Sequence, residues 1–192
     1  MSEAFKQIQT FAEKEFRDHV LTVRLDQSGP FRSYRCQRPG SWCYGFDVTF
    51  VPGWVYLSGD IGHLALSREV DMLPWLRGVL TRGTIDLRYV AEKSPQSITN
   101  RAWSEWGAKR MLDRIFESYE ISDVDQAELR AMTTDQHDWG AFVIPKLLDL
   151  EVYEFYEFGD ASDWDSNYCW CVLGLKWCVE AIDNHNTEKN GE

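Results

Sequence analysis

The chain has 192 residues, enough for one globular domain with a sizeable core, and no apolar run approaches the roughly 18 residues of a membrane span. Its formal net charge of −11 is uneven: residues 1–93 hold 12 Lys and Arg against 11 Asp and Glu, whereas residues 94–192 hold 8 against 20. So acidic a half repels phosphate backbones, which argues against direct nucleic-acid binding and for a protein partner with a basic surface.

Met1–Lys14 is polar and charged where a signal peptide would be apolar, so a cytoplasmic location is expected. Ser2 is placed to cap a first helix, residues 1–18, with Phe5, Ile8, Phe11 and Ala12 on one face. Val20–Leu25 alternates like a strand, and Ser28-Gly29-Pro30 turns the chain. Phe31–Gln37, Tyr44–Val51, Trp54–Ser58 and His63–Ser67 then read as strands, separated by Pro39-Gly40, Pro52-Gly53 and Gly59-Asp60-Ile61-Gly62. Residues 20–68 therefore predict an antiparallel meander of four to five strands.

After Arg68 the pattern turns helical. Asp71 is a natural N-cap for a helix with Pro74 in its first turn, and Ile85–Glu92 suits a second short helix. Arg101–Tyr119, Ser122–Met132 and Trp139–Leu150 follow, the last with a break risk at Pro145. Asp165–Asn184 then predicts a long amphipathic helix across the sheet, and His185–Glu192 a frayed polar tail. The expectation is one α+β domain over residues 1–192, its sheet covered by a helical part over 71–184.

The five cysteines, Cys36, Cys43, Cys169, Cys171 and Cys178, lie in apolar or aromatic surroundings and read as small buried thiols, since C-x-x-C spacing is absent. No cofactor or metal is implied. The strongest catalytic candidate is a metal-dependent hydrolase or nuclease centre of Asp47, Asp60, His63 and Asp71, but turn, strand-face and cap roles account for the three carboxylates. His19, His137 and His185 have no spacing partner. Arg32, Arg35, Arg38 and Arg68 stand among aromatics in a pattern that single-stranded nucleic acid would suit, yet surplus carboxylates are at hand to pair with them. Trp42, Trp54 and Trp164 fall at or beside turns, where exposed aromatics make interface anchors.

The densest acidic stretch runs from Asp149 to Asp165 without a Lys or Arg and interleaves carboxylates with Tyr, Phe and Trp. Glu151, Glu154, Tyr156, Glu157, Asp160, Asp163 and Trp164 are the candidate partner-binding residues, the carboxylates steering and the aromatics anchoring.

The order Phe31-Arg32, Pro39-Gly40-Ser41, Tyr44-Gly45-Phe46-Asp47-Val48, Pro52-Gly53, Leu57-Ser58-Gly59-Asp60-Ile61-Gly62, Ser67-Arg68, Asp71-Met72 and Ala91-Glu92-Lys93 resembles a group of roughly 200-residue accessory proteins encoded by bacteriophages and prophages. The likeness covers about residues 31–93 and, more loosely, Tyr168–Ile182. It carries over no catalytic residue. What it implies is a setting, the host-cell cytoplasm, and a non-enzymatic role: binding and inhibiting a basic host protein, such as a nucleic-acid-binding restriction or CRISPR component, by occluding its surface.

Overall fold

The computed structural model describes residues 3–27, 29–95 and 100–190, so the expected cap at Ser2, the turn residue Ser28 and the tail residues Gly191 and Glu192 lie outside the described residues. The chain forms two compact units, one built from Phe5–Asn100 and the chain from Ser166 onward, the other from Arg101–Asp165. No helix among the described residues is long and apolar enough to cross a membrane.

The first unit holds the expected meander. Strands β1 (Val20–Asp26), β2 (Arg32–Gln37), β3 (Phe46–Val51), β4 (Trp54–Gly59) and β5 (Gly62–Ser67) lie side by side in chain order, every neighbouring pair antiparallel. Alternation fixes the register: Tyr34, Cys36, Phe46, Val48, Phe50, Val55, Leu57, Leu64 and Leu66 are buried on one face, while Arg35, Asp47, Tyr56, Ser58 and His63 lie on the other. Pro52-Gly53 is a two-residue turn with Gly53 at φ 83°, and Asp60-Ile61 forms the next. Gly59 is required for a different reason. A Cβ there would stand 2.3 Å from the Gly45 carbonyl oxygen and 2.6 Å from the Cα of Phe46, its partner across the β3–β4 pair, so the end of β4 lies backbone to backbone on the entry to β3.

The apolar face is covered by helices. In α1 (Glu3–Glu15) the buried line is Phe5 and Ala12, continued by Phe16 in the following turn; Phe11, expected on that face, is 60% exposed. Helix α2 (Met72–Leu80) starts at Asp71, whose side chain accepts the Leu73 N–H, and α3 (Leu87–Ala91) at Asp86, which accepts that of Tyr89. Helix α8 (Ser166–Asn190; the helices numbered in between belong to the second unit) packs on β5, β3, β1 and α2. It differs from the expected helix in two ways. It continues six residues beyond Asn184, to Asn190, and between Tyr168 and Ile182 it is buried on most sides instead of along one stripe, because sheet, α1 and α2 all lean on it.

In the second unit, α4 (Glu105–Ser118), α5 (Asp123–Ala131), α6 (Gln136–Asp138) and α7 (Ile144–Asp149) enclose a core of Ala108, Met111, Leu112, Ile115, Leu129, Trp139, Val143, Leu147 and Val152. Arg101–Trp103, expected as helix, is a strand, β6, antiparallel to β7 (Ser162–Trp164). Ser104 then caps α4 by accepting the Gly107 N–H, so the helix starts later than its pattern suggested. Gly107 lets the ribbon lie against α4: a Cβ would come 2.6 Å from the Ser162 carbonyl oxygen. The break risk at Pro145 resolves without a break. Trp139–Val143 winds as a π-helix, the Ile144 N–H reaches Trp139 O, and the proline, which has no N–H to place, enters at the start of α7.

Candidate functional site

The candidate docking residues all belong to the second unit, and the structure divides them. Helix α7 ends in a Schellman motif: Val152 N–H donates to Leu147 O at 2.9 Å and Glu151 N–H to Leu148 O at 3.0 Å. Glu151 occupies the left-handed position at φ 60°, where glycine is the usual residue. Val152 and Leu147 are both fully buried, which anchors the reversal. The chain then leaves the core as a knuckle. Tyr153 and Tyr156 are 62% and 64% exposed, and Glu151, Glu154 and Glu157 are exposed around them, the first two before and the last within a 3₁₀ turn, Phe155–Phe158. Among the described residues none of these three glutamates forms an ion pair. Phe155 and Phe158 point the other way, against the core, so alternation inside the short turn separates anchors from foundation.

Beyond Gly159 the carboxylates have structural partners. Asp160 accepts the Ser162 hydroxyl at 2.7 Å and its N–H at 3.3 Å and sits 3.5 Å from Arg101. Its pKa lies below the ordinary carboxylate range, first because of the Ser162 hydroxyl. Asp163, expected to steer a partner, is 2% exposed: it is the inward-facing residue of β7, its carboxylate 3.0 Å from Arg110 Nη1, and it accepts the Trp164 N–H. It therefore offers no exposed charge. Trp164 is half-buried with the Arg101 guanidinium 5.2 Å over its ring. The exposed residues without an ion pair among those described are Glu151, Tyr153, Glu154, Tyr156 and Glu157, whereas Asp160 is exposed but tied to Ser162 and Arg101; Tyr153 was missed as a site residue, and its place beside Glu154 in an aromatic-acidic run was the available signal.

The residues of the catalytic alternative are not brought together. Asp47 binds Arg35 through both oxygens, at 2.9 and 2.8 Å, and its pKa is held low chiefly by that pair. Asp71 caps α2 and takes a two-pronged bond from Arg32 at 2.7 and 3.0 Å. Asp60 accepts the Tyr44 N–H at 2.8 Å, fixing a tyrosine whose φ is 56°, so Tyr44 belongs to the turn before β3 and not to the strand. His63 is exposed on β5. Among the described residues no group of three or more His, Cys, Asp or Glu is arranged to hold a metal ion.

The other sequence-derived roles are mixed. Arg32, Arg35, Arg38 and Arg68 each pair with a carboxylate, respectively Asp71, Asp47, Glu15 and Glu69. Four cysteines are buried as expected, but Cys43 is exposed in the turn, and among the described residues no disulfide is formed. Trp42 is exposed beneath the Arg35 guanidinium, 4.7 Å from its ring, and Trp54 stacks on exposed Tyr56 at 5.8 Å. His19 is 7% exposed, donates Nε2–H to the Tyr44 carbonyl on assignment of that tautomer, and packs among Phe16, Phe46 and Trp177. Burial pushes its pKa down.

Comparison with known proteins finds no matching family, no matching curated protein and no matching solved structure.

Proposed function

We propose that this chain is a binding protein whose docking element is the Glu151–Glu157 knuckle, and that its partner is a protein with a basic surface. The observation that supports this most is Glu151. A non-glycine residue in the left-handed region costs roughly 1–2 kcal/mol, and the motif it closes would be better served by glycine. A carboxylate kept there at a cost in stability is explained by a use for its charge. Two exposed tyrosines beside three glutamates that have no ion-pair partner among the described residues supply the rest: flat amphipathic anchors, and charges to steer a cationic surface into place. In the setting that the resemblance to phage accessory proteins implies, the partner is a host nucleic-acid-binding defence component, and the effect is occlusion of the surface it uses for nucleic acid.

The test compares wild type with Glu151→Lys/Glu154→Lys/Glu157→Lys as baits on host lysate, then measures rates with the recovered partner. The variant is expected to lose the partner. The wild-type association rate should fall as salt rises to physiological ionic strength, where the screening length is about 8 Å. Tyr153→Ala and Tyr156→Ala should mainly speed dissociation. Equal recovery and equal rates with the folded triple variant would remove the knuckle from consideration.

A further inference from the structure

Three arginines of the acidic second unit converge on one cavity of about 200 Å³. Arg110 and Arg114 stand four residues apart on α4 and Arg101 comes from β6; Asp160 and Ser162 line the opposite side. The guanidiniums are held in place before any ligand arrives. Arg101 donates through Nε and Nη2 to Ser162, Arg110 through Nη1 to the buried Asp163 and through Nη2 to Ser162 O, and Arg114 through Nη1 to Phe158 O at 3.2 Å. Among the described residues Arg114 uses Nη1 alone, and Arg110 leaves Nε unused. Three guanidiniums with donors to spare thus face the cavity against two carboxylates, Asp160 beside Arg101 and Asp163 beside Arg110, and among the described residues Arg114 has no carboxylate partner.

Three guanidiniums against two carboxylates leave the site with a net positive charge that an anion would neutralise. Planar guanidinium forks match the oxygens of a phosphoryl group in both spacing and charge. The room exceeds the roughly 30 Å³ share of one water several times over, enough for a tetrahedral phosphoryl group with a small substituent. We infer that this cavity is a binding site for the phosphoryl dianion of inorganic phosphate or a small phosphate monoester, with Arg101, Arg110 and Arg114 as its ligands and Asp160 as the carboxylate the anion displaces from Arg101. The site does not depend on the docking knuckle, because Glu151, Tyr153 and Tyr156 line no part of it.

Calorimetric titration of the full chain with inorganic phosphate, O-phosphoserine and a nucleoside 5′-monophosphate tests the site and separates the sources. Saturable one-to-one binding in the millimolar range or tighter is expected for at least one of them. Affinity should rise between about pH 5 and pH 7, as the second phosphate proton leaves near pH 6. Arg114→Gln, which alters a residue bonded only to a carbonyl oxygen, should weaken binding about tenfold or more, the scale of one charge-assisted bond. Asp160→Asn should tighten it by removing the competing carboxylate. Circular dichroism confirms the fold of each variant, and Arg114→Lys replaces Arg114→Gln if the latter misfolds, keeping the charge while losing the fork. Absence of saturable binding to all three probes overturns the inference, as does binding that neither Arg114 substitution weakens and Asp160→Asn leaves unchanged, the behaviour of an adventitious ion only.

Discussion

Glu151, Asp60 and Gly59 show how differently three residues near turns are constrained. Glu151→Gly should stabilise the chain by about 1 kcal/mol, since the left-handed position then carries no Cβ penalty. The same change should weaken partner binding; a gain in the denaturation midpoint without a loss of affinity would separate the strain from the function. Asp60 holds the Tyr44 N–H, an interaction that an amide oxygen can also make. Asp60→Asn should therefore retain the melting temperature, whereas Asp60→Ala should lose about 1 kcal/mol. At Gly59 even Ala is too large: its Cβ would press on backbone atoms of Gly45 and Phe46, and overpacking of this kind costs about 1–3 kcal/mol. Urea midpoints of Gly59→Ala against wild type check this. The need for glycine at 59 was legible in the Gly59-Asp60-Ile61-Gly62 run, but its cause was not. Positive φ is a local property that turn chemistry suggests, and the close approach of the chain entering the paired strand is not.

The five strands were readable because the turns carry their own chemistry, and from β2 to β5 register follows from alternation; between β1 and β2 it shifts between Val23 and Leu25, which alternation does not announce. The β6–β7 ribbon was not readable. Its strands have three residues each, and Arg101 meets Ser162 61 positions away, so nothing in Arg-Ala-Trp distinguishes strand from the first turn of the helix that follows. That long-range pairing also turned Asp163 inward, and so the acidic run was legible as composition but not as a surface. The start of α2 gives a pH-dependent prediction. Asp71 is held below the ordinary carboxylate range chiefly by Arg32, so as pH falls the unfolded chain takes up this proton before the folded one. The stabilisation is fully present above the unfolded value of about 3.9 and is lost as pH drops through the lower folded value. Asp71→Asn should make chemical stability less dependent on pH below about 4, as read from urea midpoints at stepped pH, while lowering it at neutral pH.

At the scale of the whole molecule, the charge asymmetry read from the sequence lands on one unit, where residues 101–165 hold 6 Lys and Arg against 16 Asp and Glu, and there it is not uniform: carboxylates dominate the knuckle, arginines the neighbouring cavity. Composition reported the sum and could not report the partition, which depends on α4 presenting Arg110 and Arg114 on the side where the chain returns as β7. The two units also differ in how the chain supplies them. Apart from Glu3 and Ala4 at the start of the chain, the second is made from one stretch, Arg101–Asp165, but the first needs both the meander and α8. During synthesis the meander is complete long before its cover exists. At typical elongation speeds residues 101–165 take on the order of several seconds to make, and for that time Phe46, Val48, Leu57 and Leu64 have no α8 to bury them. A chain ending at residue 165 should accordingly be recovered in the pellet or bound to chaperones, and a soluble, cooperatively melting 1–165 fragment would contradict this. Nascent chains stalled before α8 leaves the ribosome should bind chaperones and resist proteolysis only after release, so premature termination anywhere in the middle third yields aggregation-prone sheet in place of a smaller working protein.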